Sequence, residues 1–324
     1  MAGILRVDQI QTPGAVNAIT FDSTGRATID GKLRLRNYST ANLPTSNNDV
    51  GDLVYDTDDE TIKFWNGTEW LSAGGKKLDG STADKAALSA ADIKTVNAAA
   101  GDGVYWINLP SSGPKQVYCI MNSTFDGGGW MLAMKATRGT TFNWGSSYWT
   151  STNLLNENSV NTADGDAKYH VFNEFQTKDM LAIWPDIGNG GCVSGSNRGW
   201  TWLQNNFYSG NRTTLPTFFN AVDRYILQDA NGHCGIAQFS KQADVRFYGY
   251  NYRNNGGWAR TRWGYGWNEN GGGFFPNGNM DSDDVSGGIG MTSNFGNYSA
   301  GDRINCCQNQ TGINRSARVE IYVR

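Results

Sequence analysis

Glycine is unusually frequent in this chain, and charged side chains are unusually scarce. Of the 324 residues, 41 are glycine and 18% are charged, whereas an average soluble protein has roughly 7% glycine and about 25% charged residues. Glycine and asparagine both favour tight turns, each by tolerating backbone conformations that other residues avoid. Because aromatic residues still make up 12% of the chain, we expect a folded protein with long, tightly turned loops and an uncharged polar surface.

Charge and targeting patterns exclude several classes of protein. The net charge of -3 disfavours a nucleic-acid binder, which needs a basic face for phosphates. The first six residues contain no basic region followed by an apolar run, and no stretch is apolar over the roughly 18 residues that a membrane span needs. We therefore expect cytoplasmic synthesis and no membrane insertion. The five cysteines form no CxxC motif and the chain has two histidines, which disfavours a zinc site.

Residues 1–75 are predicted to form a β-rich segment of short hairpins. The predicted strands are residues 18–21, 26–29, 32–36, 53–55, 62–65 and 69–71, with Asp30 and Gly31 as a hairpin turn. Such ribbons carry too few large apolar residues to bury a core of their own. We expect this acidic segment either to oligomerise, with another copy of the chain as the simplest partner, or to dock onto a larger particle. A loosely ordered arm is the alternative.

A second domain follows a linker. Residues 76–90 are small, polar and rich in turn formers, which is typical of a linker. Ser89 and Asp92 then resemble a capping box that begins a helix. Residues 91–324 are predicted to be one α+β domain with a second helix near residues 218–221. Its best predicted strands are residues 104–107, 116–120, 130–135, 244–248 and 317–323.

Three motifs at the start of this domain carry a family resemblance. The sequences GVYWI at 103–107, VYCIM at 117–121 and DGGGW at 126–130 resemble the opening of a fibrinogen C-terminal domain. Further segments are similar to the intelectin branch of that superfamily: residues 169–175, 178–184, 271–276, 284–287 and 317–324. The resemblance covers roughly residue 90 to the end. It implies an α+β fold and a non-enzymatic module that binds sugars or surfaces with calcium. The family's first cysteine is absent, so we expect Cys119 to lack its disulfide partner.

The N-terminal segment carries a different resemblance. Residues 51–55 and 64–70 look like the short hairpin module found near the N-termini of bacteriophage tail fibres and other virion structural proteins. Together, the two resemblances imply a virion appendage protein that is made in the host cytoplasm. Its N-terminal segment is expected to bind other virion proteins, and its C-terminal domain is expected to be distal and to recognise a target.

A candidate calcium site lies in a glycine-rich loop. Calcium takes six to eight oxygen ligands in flexible geometry, and alternating oxygen-bearing side chains in a loop can converge on one ion. The candidate ligands are Asn277, Asn279, Asp281, Asp283 and Asp284, with Asp164 and Asp166 from a second loop. The resemblance implies that Asp284 is the family's structural calcium ligand. The alternative is a solvated turn whose side chains cap backbone amides.

An aromatic tract between residues 248 and 275 is the candidate receptor surface. Aromatic faces stack on sugars, and guanidinium groups bind hydroxyls or carboxylates. The candidate ligand-binding residues are Trp258, Arg260, Arg262, Trp263, Tyr265 and Trp267. Alternatively, such rings belong to the core, and we expect about half of those in the tract to be buried.

These observations predict a non-enzymatic virion protein, a fibre or decoration, that binds a host-surface glycan with calcium. Avidity would come from a homo-oligomer, for which a trimer is expected. The alternative is a purely structural role in particle assembly, without sugar binding. An enzyme is disfavoured because no spacing marks the carboxylate pair of a glycosidase, and because His170 and His233 lack a nucleophile motif. Exposure of Trp258, Trp263 and Trp267 would favour binding over the structural role.

Overall fold

The chain divides into two units that are each built on β-sheets. The computed structural model describes residues 9–11, 17–21, 27–29, 32–74, 77–186, 200–227, 245–253, 260–267, 285–293, 296–305 and 315–324. The first unit is Met1–Lys77 and the second is Leu78–Arg324.

The first unit contains two small sheets. Its strands are β1 (Gln9–Gln11), β2 (Asn17–Phe21), β3 (Ala27–Ile29), β4 (Asn37–Tyr38), β5 (Leu53–Asp56), β6 (Thr61–Trp65) and β7 (Trp70–Ser72). β1, β2 and β3 form an antiparallel sheet. In the second sheet, β4 runs parallel to β5, and β5, β6 and β7 are antiparallel.

The sequence predicted five of these seven strands, missed β1 and β4, and predicted one strand that does not form. The strands predicted at 18–21, 26–29, 53–55, 62–65 and 69–71 are confirmed as β2, β3, β5, β6 and β7. The strand predicted at 32–36 is wrong, because no strand forms there and the chain resumes in β4. Alternating leucines and cations at 32–36 satisfy the local pattern of a strand, but a strand also needs a neighbour to pair with.

The second unit contains two large sheets. Its strands are β8 (Gly103–Leu109), β9 (Gly113–Ile120), β10 (Trp130–Ala136), β11 (Ala167–Lys168), β12 (Met180–Trp184), β13 (Trp200–Gln204), β14 (Tyr225–Ile226), β15 (Val245–Arg253), β16 (Arg260–Trp267), β17 (Val285–Ser293), β18 (Gly296–Asn305), β19 (Arg315–Ser316) and β20 (Val319–Val323). The first sheet has the order β13-β12-β20-β10-β9-β8, with β11 paired to β10. β20 therefore lies between β12 and β10. The second sheet runs in chain order from β14 to β19.

The predicted α+β fold of residues 91–324 is wrong, because sheets dominate the unit. Its described residues contain three α-helices, α1 (Ala90–Val96), α2 (His170–Glu174) and α3 (Leu215–Ala221), none longer than seven residues. The two predicted helices do form as α1 and α3, and the Ser89 hydroxyl caps α1 by accepting the Asp92 N–H. They are too short to form a layer of their own, so the core belongs to the strands and not to the α+β architecture that the motifs implied.

Aromatic side chains join the two large sheets across a shared core. Trp202 of β13 contacts the rings of Tyr248, Trp263 and Tyr265 with centroid distances of 5.2 to 6.5 Å. On β20, the alternating valines and isoleucine at 319, 321 and 323 face this core, while Tyr322 packs in a smaller cluster on the other side of the sheet. The alternation predicted for the last strand is confirmed.

The second half of the predicted linker packs along β8. The Trp106 N–H donates to the Gly80 carbonyl at 2.8 Å, and the Ala87 N–H donates to the Trp106 carbonyl at 3.1 Å. Ala87 and Ala90 are fully buried. This segment therefore holds the backbone of β8 along the edge that is not paired with β9, close to Trp106.

Candidate functional site

A surface cleft of about 250 Å³ lies on the outer side of β8 and β9, beside the start of α2. Trp106 and Gln116 are directly opposite in the antiparallel β8–β9 pair, so their side chains share one face. Ile107, the neighbour of Trp106, points into the core. The residues that line the cleft are Trp106, Pro114, Lys115, Gln116, Val117, Glu157, Asn158, Tyr169, His170 and Val171.

His170, the first residue of α2, stands between two carboxylates at the cleft wall. Its Nδ1 lies 3.0 Å from Glu174 Oε1, and its Nε2 lies 3.6 Å from Glu157 Oε2. His170 and Glu174 meet because residues four apart share one side of a helix. Glu157 comes from the loop before β11 and is the more exposed of the two carboxylates.

Glu174 is an ionised anchor for the imidazole. Burial by itself would raise its pKa, but hydrogen bonds from the backbone N–H groups of Ser111 and Ser112 and from His170 outweigh burial, so the pKa of Glu174 lies below its ordinary value. Both backbone N–H groups donate to Oε2 at 2.9 Å. Because an ionised carboxylate can only accept hydrogen bonds, Nδ1 of His170 carries the proton in this contact. The Nε2 atom is left facing Glu157 and the cleft.

The cleft combines an aromatic wall with several polar groups. Trp106 is half-buried, so part of its indole stays open to a ligand. Gln116 and Asn158 supply amides, Glu157 an acceptor and Lys115 a donor. An apolar ring face beside a few convergent hydrogen-bonding groups is the arrangement that suits a small polar ligand with apolar faces, such as a sugar ring.

Two of the predicted ligand-binding aromatics are unavailable, which corrects the sequence prediction. Trp263 and Tyr265 of β16 are buried, with relative exposures of 0% and 1%. The Trp263 indole N–H donates to the Tyr248 hydroxyl at 3.2 Å, and both β16 rings pack on Trp202. The alternating aromatic residues of β16 therefore form the inner side of a sheet, and a ligand cannot stack on them.

Arg262 is occupied within the protein. Its Nε donates to the Trp144 carbonyl at 2.9 Å and its Nη1 to Asn251 Oδ1 at 2.8 Å. The guanidinium also lies 4.2 Å from the centre of the Trp144 ring, and burial lowers the pKa of Arg262 to about 10. These contacts use two of its five N–H donors and place the Trp144 ring against one face of the guanidinium.

The other predicted ligand-binding residues give no defined surface. Arg260 is half-buried on β16. Trp267 ends that strand, and its side chain is not described. Trp258 lies outside the described residues. Of the predicted set, the structure therefore brings Trp263 and Tyr265 together, but in the core.

Most of the predicted calcium ligands, Asn277, Asn279, Asp281, Asp283 and Asp284, lie outside the described residues. Asp164 and Asp166 are described, and both accept from protein donors. Asp166 accepts the Thr137 N–H at 2.9 Å and the Thr141 hydroxyl at 2.6 Å. The Thr137 hydroxyl and two arginines hold the pKa of Asp164 below its usual value. Among the described residues, no group of three acidic, histidine or cysteine side chains is placed to hold a metal.

A lysine fills an oxygen cage in the same loop. The buried Lys135 ammonium has four oxygens within hydrogen-bond distance for its three N–H groups: Ser159 Oγ at 3.2 Å, the carbonyl and Oδ1 of Asn161 at 3.1 and 2.9 Å, and the Ala163 carbonyl at 3.0 Å. Four oxygens around one cation resemble part of the coordination shell of a calcium ion. Here the ammonium holds the loop, and calcium binding at 277–284 stays a prediction.

Sequence reasoning missed the cleft, although two of its features were visible. Trp106 alternates with the core residue Ile107 in a predicted strand, which places a tryptophan on the outer side. His170 and Glu174 have the spacing of one helical turn. The approach of Glu157 had no sequence signal, because it depends on how a loop folds back.

The chain matches no protein-family model and no curated protein. In the part of the chain that the structure describes, no helix has the length and apolar character of a membrane span. The function of the cleft therefore has to be inferred from its geometry.

Proposed function

We propose that this chain is a virion structural protein, a fibre or decoration subunit, whose second unit binds a host-surface saccharide in the cleft beside Trp106. The observation that carries the proposal is the half-buried indole of Trp106 facing the convergent side chains of Gln116, Glu157 and His170. The hairpin motif of residues 51–70, which resembles virion proteins, supports the assignment to a particle.

The chemistry of the cleft favours a short saccharide or the end of a longer chain. Its volume of about 250 Å³ lies just below the roughly 300–1,000 Å³ range of ligand pockets. The indole can cover the C–H face of one sugar ring, while amides and the Glu157 carboxylate bond its hydroxyls. Glu174 holds His170 in one orientation, so the site is preorganised and loses less entropy on binding.

The direct test is a glycan array, with polysaccharides from candidate hosts, on the full-length protein. We expect Trp106→Ala to weaken binding of the best glycan at least ten-fold. Trp144→Ala is the matched control, because Trp144 is also half-buried but lies under Arg262. Loss of binding in Trp144→Ala with full binding in Trp106→Ala would place the site near β16 and contradict the proposal.

A purely structural role is the second candidate. It is favoured by the burial of Trp263 and Tyr265, which removes the aromatic surface that the sequence suggested for receptor binding. If wild-type protein binds no sugar but still assembles onto particles, the structural role is the better account.

A further inference from the structure

The second sheet of the first unit exposes its apolar side chains. In the strand register, Leu53 is opposite Phe64, Phe64 is opposite Leu71, and Tyr55 is opposite Ile62, so all five share one side of the sheet. Leu53, Ile62 and Leu71 are 49%, 43% and 38% exposed, and Tyr55 and Phe64 are half-buried. We call these five side chains the apolar face.

The opposite side of this sheet is charged and covered. The Lys63 ammonium lies 2.6 Å from Asp56 and 2.7 Å from Asp59, and all three side chains are buried. The loop of residues 39–48 closes over this side, since the Thr40 hydroxyl donates to Asp56 and the Trp70 indole donates to the Pro44 carbonyl. The loop thus covers the charged side, whereas the leucines and the isoleucine of the apolar face remain exposed.

Charge in this unit is divided between two neighbouring segments. Residues 37–74 contain one basic and seven acidic residues, a net charge of -6. The preceding segment, residues 32–36, has the sequence KLRLR with three basic residues. Leu33 is 64% exposed, and Lys32 and Arg34 form no ion pair with any described residue. We call residues 32–36 the basic segment.

We infer that the apolar face is a contact surface for a second copy of this chain, whose basic segment lies across it. The leucines of that segment would cover the exposed Leu53 and Ile62, and its cations would meet the acidic ends of the sheet. Charge complementarity selects this arrangement, because two apolar faces packed on each other would bring two acidic sheets together. The basic segment of the same chain lies elsewhere, because its Arg36 carbonyl accepts the Tyr55 N–H and holds the end of the segment beside β5, while Leu53 and Ile62 stay exposed.

The face is too small for one contact of this kind to hold a stable dimer. Three strands about 4.8 Å apart and about five residues long present roughly 230 Å², well under the roughly 800 Å² per partner of a standard interface. Each copy offers one apolar face and one basic segment, so the contact is head-to-tail and can close into a ring. In a ring every subunit makes two such contacts, which raises the stability of the assembly.

The oligomeric state of the full-length protein tests this inference by sedimentation at several concentrations. We expect an oligomer that dissociates on dilution, and Ile62→Asp should raise its dissociation constant at least ten-fold. Ile226→Asp is the matched control, since Ile226 of β14 is 45% exposed and should leave assembly unchanged. Circular dichroism is used to check that both variants fold, and we expect wild-type spectra from both. A wild-type monomer at all concentrations, or an Ile62→Asp oligomer of unchanged stability, overturns the inference.

Charge reversal tests the role of the basic segment. We expect Arg34→Glu alone and Glu69→Lys alone each to weaken assembly, and the double variant to recover at least part of the loss. Failure of the double variant to recover overturns the placement of the basic segment. The result is separate from sugar binding, because the cleft lies in the second unit and its binding is read on the glycan array.

Discussion

Two buried lysines of the second unit are held by neutral oxygens. The Lys135 ammonium lies within hydrogen-bond distance of four oxygens of residues 159–163, and Lys168 donates to the Ser151 carbonyl at 2.6 Å. The Lys168 ammonium also lies 4.7 Å from the centre of the Phe172 ring, and burial lowers its pKa to about 8. A buried cation of this kind makes stability depend on pH and on its acceptors.

For Lys168, we expect a contribution to stability that rises with pH. The pKa is about 8 in the folded protein and 10.5 for an ordinary lysine, so between these values the unfolded chain binds more protons. The free energy of unfolding therefore increases over this interval. Denaturant unfolding of wild type and Lys168→Met across this pH interval should show the increase only in the wild type. If the free energy of unfolding depends on pH in the same way in both proteins, Lys168 is not the group responsible.

For Lys135, we expect Lys135→Met to lower the free energy of unfolding by about 1–3 kcal/mol, because buried oxygens lose their shared donor. Lys115→Met, at the rim of the cleft, is the control and should change stability by less than about 0.5 kcal/mol. Both are measured by denaturant unfolding. If added calcium restores the stability of Lys135→Met, a metal ion can replace the ammonium in this loop, which would contradict our account.

At the scale of elements, β16 and β17 approach closely because glycines oppose each other. Gly264 is paired with Gly288. A Cβ on Gly264 would lie 2.0 Å from the Gly287 carbonyl oxygen, and one on Gly288, whose φ is +136°, would lie 2.2 Å from the Trp263 carbonyl oxygen. Side chains are therefore excluded here, and this close pairing places the Trp263 ring in the core.

We expect Gly264→Ala to destabilise the second unit by more than about 3 kcal/mol, since backbone atoms cannot yield as a flexible side chain can. Gly101→Ala is the control, because nothing lies within 4 Å of its Cβ position. Thermal unfolding of both variants gives the comparison. If Gly264→Ala unfolds at the same temperature as the wild type, β16 and β17 can move apart without loss of stability, and our account of this pairing is wrong.

Local signals in the sequence were sufficient for some elements and insufficient for others. The Ser89 cap and the alternation at 319–323 are decided by neighbouring residues, so they could be predicted. Trp263 and Tyr265 could not be placed, because alternating aromatic residues suit both a buried sheet side and a sugar-binding surface. In the cleft, Trp106 was readable as an outward residue, but its meeting with Glu157 depends on the tertiary fold.

On the scale of the whole molecule, the two units differ in what stabilises them. Burial alone would lower the pKa of Lys63, but Asp56 and Asp59 raise it. Burial alone would raise the pKa of Asp56, but Lys63 and the nearby N–H groups lower it. The stability that Asp56 contributes is lost as pH falls through its depressed pKa, and that of Lys63 is lost as pH rises through its elevated pKa. The second unit has a large apolar core instead.

We expect Lys63→Met to unfold the first unit and leave the second intact. Removing one partner of a buried ion pair costs about 3–5 kcal/mol, which is comparable to the total stability of so small a unit. Hydrogen exchange read by mass spectrometry should show β5 and β6 unprotected while β10 and β12 keep their protection. Equal loss of protection in both units would show that they unfold together.

The position of β20 between β10 and β12 has a consequence for synthesis in the cell. The ribosome makes β10 roughly 180 residues before β20, and at about 5–20 residues per second this is a delay of roughly ten to forty seconds. During that time the edges of β10 and β12 that later pair with β20 have no partner within the sheet. Unpaired edges recruit strands from other chains, so stalled or truncated nascent chains are expected to aggregate and to need chaperones.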